Sequence, residues 1–365
     1  ADAMHGDADA AAELYRAAVR ANPTSALALI KLALAWQHAA QNTSSAEAAA
    51  QLAVKLAPAD PTVRWLAAQF WLNLKRWPEA GADFSAALAA LPRLESRLFP
   101  LFLAFGENPS TVAILEELAR QPSAHAAWWP RFLSYAAANA VRIDTVRLLL
   151  SWTQQSGRQL GLDERRAWIG RLQSEQRWSD AYLEWINSLP AEQRASIGLL
   201  FNGGFDFPIN DIGFNWRRLA PSGIRIEQVP VLGSGAGADG LRVSFDGIEQ
   251  GSRIIEQFLL LAPGHYRLEG QARVVRSQGP MEIPWEIFCA GQAKPLARSS
   301  SFTKIEEWNV FSVEFQIPVD CPAQRLHLIA RLLPNFRQRP LEKITVEVWF
   351  DAMRIVQTLA TTNGK

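Results

Sequence analysis

The pattern Ala-x3-Tyr/Ala/Phe-x2-Ala-x4-Pro occurs three times in the first quarter of the chain. Its members are Ala11, Tyr15, Ala18 and Pro23, then Ala46, Ala50, Ala53 and Pro58, then Ala80, Phe84, Ala87 and Pro92. Equivalent positions step by 35 and then 34 residues. The upstream half of each unit agrees, with Ala33 and Trp36 repeated as Ala68 and Trp71. Small residues let two helices approach closely, and an aromatic residue one turn later fills the adjacent gap. The closing Pro ends the second helix of each pair, because it has no N–H to continue one. A period of this size specifies stacked helix pairs, since a single pair cannot bury its apolar face alone.

These three units resemble the tetratricopeptide repeat, which has small residues at its eighth and twentieth places and Pro at its thirty-second. The resemblance implies an α-solenoid that binds a protein partner. The face that such repeats turn inward carries Leu27, Ile30, Leu34 and Gln37 in one unit and Thr62, Trp65, Gln69 and Leu72 in the next. An apolar groove of this kind suits a helix or an extended peptide; further repeats or a second domain would equally well cover it. The first unit has only Ala1–His5 before Gly6 where a full helix is expected. Further repeats, and any export signal or anchor, are therefore expected upstream.

After Pro92 the period degrades, but helical spacing continues. Ile114, Leu115, Leu118 and Ala119 share a face, as do Val146, Leu149, Leu150 and Thr153. Arg177-Trp-Ser-Asp-Ala181 echoes Arg76-Trp-Pro-Glu-Ala80 and predicts one more divergent helix pair ending near Pro190. Character changes at Phe201-Asn202-Gly203-Gly204. Runs of strand composition follow: Leu241–Phe245, Ile254–Leu261, Tyr266–Val275, Ile283–Phe288, Phe311–Ile317, Leu326–Leu333 and Ile344–Ile355. Many short strands bounded by turn residues predict an antiparallel sandwich. The expected fold is an N-terminal tetratricopeptide-like α-solenoid over 1–200, then an antiparallel β-sandwich jelly roll over 201–358, then a tail over 359–365.

The order of features in the second domain is informative. Asn202-Gly-Gly-Phe-Asp206 opens it and Trp216 follows. Then come Leu261-Ala-Pro-Gly-His-Tyr266, Trp308-Asn-Val-Phe311 and a closing Trp349-Phe-Asp-Ala-Met-Arg-Ile355. This resembles a galactose-binding-like jelly roll of the kind found in xylanase-type carbohydrate-binding modules. The resemblance implies a glycan held on exposed aromatic faces, with Trp216, Trp285 and Trp349 as candidates and Trp308 at a position usually in the core. It also implies a structural calcium between the first and last strands, with Asp206 and Asp351 at the matching places. Either acid would equally cap a turn. No other cofactor is expected.

Charge narrows the partners. The formal net charge is only +1, and residues 205–358 hold 17 Lys plus Arg against 17 Asp plus Glu. Neither half has the positive field that nucleic acid binding requires. Arg331, Arg337, Arg339 and Lys343 read as a solvated edge. No apolar run reaches the roughly 18 residues that span a bilayer. Cys289 and Cys321 lie at strand ends: a disulfide and an oxidising compartment are expected, with two buried thiols as the alternative. Gly235-x-Gly237-x-x-Gly240 spells a dinucleotide fingerprint, but a strand follows it where a helix is required. The histidines at 5, 38, 125, 265 and 327 form no metal pair, and no nucleophile elbow or phosphate loop is present. The expected function is a non-enzymatic scaffold of an exported, periplasmic or cell-envelope protein, serving synthesis, export or attachment of an envelope polysaccharide. The alternatives are an assembly factor without sugar binding, and an enzyme acting on polysaccharide.

Overall fold

The structure, a computed structural model, describes residues 2–39, 43–120, 128–219, 223–231, 239–246, 252–278, 281–302, 307–332 and 345–358. His125, Gly235, Gly237, Leu333, Arg337, Arg339, Lys343, Ile344 and the tail from 359 lie outside them. Two compact units divide at Trp168 and Ile169.

The first unit is helical. Its helices are α1 (Asp2–Ala21), α2 (Ala26–His38), α3 (Thr43–Leu56), α4 (Pro61–Asn73), α5 (Trp77–Ala90), α6 (Glu95–Glu107), α7 (Val112–Arg120), α8 (Trp129–Asn139) and α9 (Ile143–Gln155). Pro23, Pro58 and Pro92 each fall just after a helix end, as the repeat requires. Helix starts are specified locally. Ser25 accepts from the Ala28 N–H, and Asp60 accepts from Thr62 and Val63 ahead of Pro61. Helix α1 runs through Gly6 without interruption. The small residues of the repeat are buried: Ala33, Ala50, Ala53, Ala68, Ala80 and Ala87 lie between helices with no or almost no exposure. Gln37 ties α2 to α4 by donating to the Phe70 carbonyl at 3.0 Å and accepting from Asn73 at 3.0 Å. Beyond the regular repeat, Phe84, Phe99, Phe102, Trp128 and Phe132 form one aromatic cluster of edge and tilted contacts.

The division falls within α10 (Leu162–Ser174), and the second unit continues with α11 (Trp178–Ser188) and α12 (Ala191–Ala195). Eleven strands follow among the described residues. They are β1 (Arg217–Arg218), β2 (Ile224–Pro230), β3 (Asp239–Asp246), β4 (Ser252–Leu259), β5 (Gly264–Gln278), β6 (Met281–Glu282), β7 (Trp285–Cys289), β8 (Pro295–Arg298), β9 (Asn309–Ile317), β10 (Gln324–Leu332) and β11 (Thr345–Thr358). All pairings are antiparallel. One sheet has the order β1-β4-β10-β7-β8, with β6 beside β10; the other has the order β2-β3-β11-β5-β9. Their inner faces share one core that includes Trp216, Trp285, Phe245, Leu268, Leu328 and Phe350. This is the antiparallel sandwich that the strand alternation requires. Strands β1, β2, β6 and β8 lie outside the expected runs: β1 and β6 have two residues and β8 has four, and β2 sets Ile224, Ile226 and Val229 among polar residues.

Two links fix the sandwich. Cys289 at the end of β7 and Cys321 just before β10 form a disulfide with Cα atoms 5.4 Å apart. The opening loop docks on the last strand: Met353 N donates to Gly203 O at 2.9 Å, and a Cβ on Gly203 would lie 1.8 Å from the Met353 carbonyl oxygen. Only glycine allows that approach. The loop also packs on the helix before it, with Trp185 of α11 against Phe201 and Phe214 and its indole filling the space over Gly213.

The buried repeat alanines make a direct test. Ala68→Trp forces an indole into a site with no free volume and is expected to cost about 1–3 kcal/mol. Thermal denaturation followed by circular dichroism should show a melting midpoint lowered by several degrees; an unchanged midpoint would show that Ala68 does not abut a neighbouring helix.

Candidate functional site

In a strand, alternate residues face opposite sides. In β10, Leu326, Leu328 and Ala330 enter the core, so Arg325, His327, Ile329 and Arg331 lie on the outer side of the sheet. In β7, Trp285, Ile287 and Cys289 enter the core, which turns Glu286 and Phe288 outward. The register then aligns a row across five strands. Arg217 pairs with Glu256, Glu256 with His327, His327 with Glu286, and Glu286 with Arg298. Directly opposite residues share a face. A second row, Phe258–Arg325–Phe288, lies beside the first. A register shift brings Arg253 opposite Ile329, which places it on the same face.

The middle of this polar row is buried. Glu286 has no exposure, and Glu256 and His327 have almost none. The arginines form a half-exposed roof. Arg331 donates to Glu286 Oε2 at 2.7 Å, and Arg298 Nε stands 3.5 Å from Glu286 Oε1. Arg298 also bonds Glu282, and Arg217 lies 3.4 Å from Glu256 Oε1. The side chains of Arg217, Arg298 and Arg331 keep 36–39% of their surface exposed. Aromatic rings close the sides. Phe288 lies 5.2 Å from the His327 ring, and Phe258 carries the guanidiniums of Arg217 and Arg325 at 5.6 and 5.9 Å. Trp178 of α11 covers the other part of Phe258 at 5.4 Å.

Several buried polar atoms here make no hydrogen bond: Glu256 Oε2, Glu286 Oε1, Arg325 Nε and both ring nitrogens of His327. His327 Nε2 lies 3.2 Å from Glu256 Oε2, but not in hydrogen-bond geometry. Burial, followed by the positive fields of Arg325 and Arg253, lowers the His327 pKa to about 3. The imidazole is therefore neutral at physiological pH, with one nitrogen a donor and the other an acceptor. Buried polar groups are almost always satisfied, by protein, water or ligand. Such a row, roofed by planar guanidinium forks, suits a ligand rich in hydroxyl or carboxylate groups.

The predicted site residues fall elsewhere. Trp216 and Trp285, expected as sugar platforms, are fully buried and pack against each other in a tilted arrangement at 5.6 Å, so neither presents a face to a glycan. Trp216 follows a loop, but its Nε1 donates to the Asn202 carbonyl and the opening loop folds over it. Trp285 is an inward position of β7. Trp349 is half-buried on the outer face of the five-stranded sheet, donates to Glu347 and lies under Arg242 at 5.8 Å. Trp308 is half-buried as well, not a core residue. In the helical unit Leu27 and Thr62 are exposed, while Leu34, Gln37, Trp65, Gln69 and Leu72 are half-buried. Ile30 is a correction: it shares a stripe with Ala26 and Ala33, is fully buried and cannot meet a partner.

Asp206 and Asp351 do converge. Asp206 Oδ2 lies 2.7 Å and Asp351 Oδ1 3.9 Å from where a Gly204 Cβ would stand. Asp351 is fully buried and accepts from the Ala352 N–H at 2.6 Å. Calcium takes six to eight oxygens, and no group of three or more His, Cys, Asp or Glu side chains is placed for a metal among the described residues. The two carboxylates fit a calcium only with backbone carbonyls and water completing the shell.

Comparison with known proteins places the sandwich in context. No family model matches the chain, and no curated protein does either. Among solved structures, the carbohydrate-binding module TmCBM61, in complex with β-1,4-galactotriose, matches at 14% identity over 45% of this chain and 100% of its own, with a TM-score of 0.29. A family 4 carbohydrate-binding module matches at 16% identity over 44% of this chain and 99% of its own, with a TM-score of 0.32. A family 16 module matches at 18% identity over 44% of this chain and all of its own, with a TM-score of 0.28.

The lowered His327 pKa has a signed consequence. Between about pH 6.5 and pH 3 the unfolded chain binds a proton at this residue that the native state does not. Stability therefore falls as pH drops through that window, by up to about 1.4 kcal/mol per pH unit from this group. Chemical denaturation at pH 4 to 7 should show a shallower pH dependence for His327→Gln than for wild type; parallel slopes would show that the imidazole is not held neutral.

Proposed function

We propose that the protein is a non-enzymatic binding protein whose β-sandwich holds a glycan on the outer face of its six-stranded sheet, with the helical repeats engaging a protein partner. The observation that carries this reading is the row Arg217–Glu256–His327–Glu286–Arg298, whose buried carboxylates and imidazole keep unpaired polar atoms beneath half-exposed guanidiniums. Sugar hydroxyls are donors and acceptors at once, and flanking Phe258 and Phe288 supply apolar surface. Glu286 acts as a positioning residue, because it orients Arg298 and Arg331 rather than meeting the ligand. The tetratricopeptide-like period of the helices supports a partner groove along Leu27, Leu34, Gln37, Thr62, Trp65, Gln69 and Leu72. The disulfide supports an oxidising, exported location, and a role in envelope polysaccharide assembly follows from that pairing of modules. No single helix among the described residues is long and apolar enough to cross a membrane.

A second reading has one observation in its favour. Trp178 already occupies part of the Phe258 surface, as in an assembly factor that has given up sugar binding.

A glycan array followed by calorimetry separates the two. Glu286→Gln is expected to weaken glycan binding about tenfold, the scale of one charged hydrogen bond, while Trp349→Ala on the other sheet leaves it unchanged. Loss only in Trp349→Ala would move the site to the five-stranded sheet. No binding by wild type would favour the assembly factor.

The calcium is also proposed, with Asp206 and Asp351 as its carboxylates. Added calcium should raise the melting temperature of wild type and not of Asp351→Asn; no shift in wild type would discard the metal.

A further inference from the structure

The charge on the outer face of the six-stranded sheet is not balanced. Among the described residues five arginines lie there, Arg217, Arg253, Arg298, Arg325 and Arg331, against Glu256, Glu282 and Glu286. Three of the five are engaged: Arg217 with Glu256, Arg298 with Glu282 and Glu286, and Arg331 with Glu286. Arg325 and Arg253 are different. Among the described residues no carboxylate lies within ion-pair reach of either one. Arg325 rests against the Phe258 ring with its Nε buried and unbonded, and Arg253 is exposed. Both act on His327, which remains neutral and adds no charge of its own.

Two guanidiniums with no carboxylate partner among the described residues, beside a neutral imidazole, offer their donors to an anion. Guanidinium forks match a carboxylate in a planar, two-bond geometry that a sugar hydroxyl does not reproduce. Arg325 lies two residues along β10 to one side of His327, and Arg253 on β4 faces Ile329, two residues along β10 to the other side. That separation is roughly 13 Å along the strands at 3.3 Å per residue. It suits a chain of charged sugars better than a single small anion.

We propose that the glycan bound by this face is acidic, a polymer of uronic acid residues, with carboxylates taken by Arg325 and Arg253. This rests on the glycan reading above and narrows it to one class. The pairs Arg298–Glu286 and Arg331–Glu286 then orient the neutral part of the chain, and the two unengaged arginines select for charge. Arg273 provides an internal control. It stands beside Trp349 on the five-stranded sheet, its buried Nε makes no hydrogen bond, no carboxylate lies within ion-pair reach of it among the described residues, and it is not part of this face.

The test is calorimetric titration of the full chain with oligogalacturonate and with oligomannuronate and oligoguluronate from alginate. Neutral galactan and mannan oligomers of equal length are run beside them, at low and high salt. The uronate that binds is expected to do so at least about tenfold more tightly than its neutral counterpart, with the difference shrinking in salt. Arg325→Gln and Arg253→Gln should each lower uronate affinity about tenfold, and Arg253→Gln should leave neutral binding unchanged; Arg273→Gln should change neither. Equal binding of acidic and neutral oligomers, still sensitive to Glu286→Gln, would overturn the acidic assignment and leave the glycan site standing. Loss of uronate binding in Arg273→Gln alone would also overturn it. No binding of any oligomer would overturn both.

Discussion

Glu286 is a carboxylate with no solvent exposure, and much of the second unit's functional character follows from how it is neutralised. Burying an ion costs several kcal/mol unless partners compensate. Here the compensation is Arg331 and Arg298, which reach over the sheet from neighbouring strands. Removing one member of such a group typically costs about 3–5 kcal/mol, because the other charge is left stranded. Replacing the group with apolar residues would give an ordinary covered sheet of equal or greater stability. A sheet that keeps Glu256, His327 and Glu286 in a row under a layer of arginines gains organisation of those arginines, not stability. The side chains of Arg217, Arg298 and Arg331 keep 36–39% of their surface exposed while their inner edges are fixed.

The two sheets divide the labour. Trp216, Trp285 and Phe350 meet at the centre of the sandwich and link the opening loop, β7 and β11. The disulfide ties the end of β7 to the entry of β10, the two strands that carry Glu286 and His327. Gly203 brings the opening loop against the last strand at a distance no side chain permits. The row thus sits on strands whose relative register is held by covalent, backbone and aromatic contacts. That rigidity is what a preformed binding surface requires.

Much of the architecture was legible in the sequence. The spacing of Ala33 and Ala68 with Trp36 and Trp71 set the helix pairs, because only small residues at those positions allow close packing. The run Phe311–Ile317, bounded by turn residues, gave a strand, and two cysteines at strand ends gave the disulfide. The site was not legible for an equally physical reason. Glu256, His327 and Glu286 are distant in the chain and become neighbours only through strand register, which local pattern does not set. One signal was available. Arg325-Leu-His327-Leu alternates polar and apolar residues, so β10 announced a polar outer face, whereas Trp285-Glu286-Ile-Phe288 carries a single polar residue. Residue type misled for Trp216 and Trp285, since a large ring is worth most to a core when it is fully buried. The same holds for Ile30, whose helical stripe is shared with buried alanines.

The central claim is that the arginine-roofed row on the six-stranded sheet is where ligand binds. The most direct measurement is a crystal structure of the protein with a bound oligosaccharide. The account predicts sugar oxygens within hydrogen-bond distance of the guanidiniums of Arg298, Arg325 or Arg331, with Glu286 still buried behind them. A sugar ring stacked on Trp349, with the six-stranded sheet bare, would contradict it.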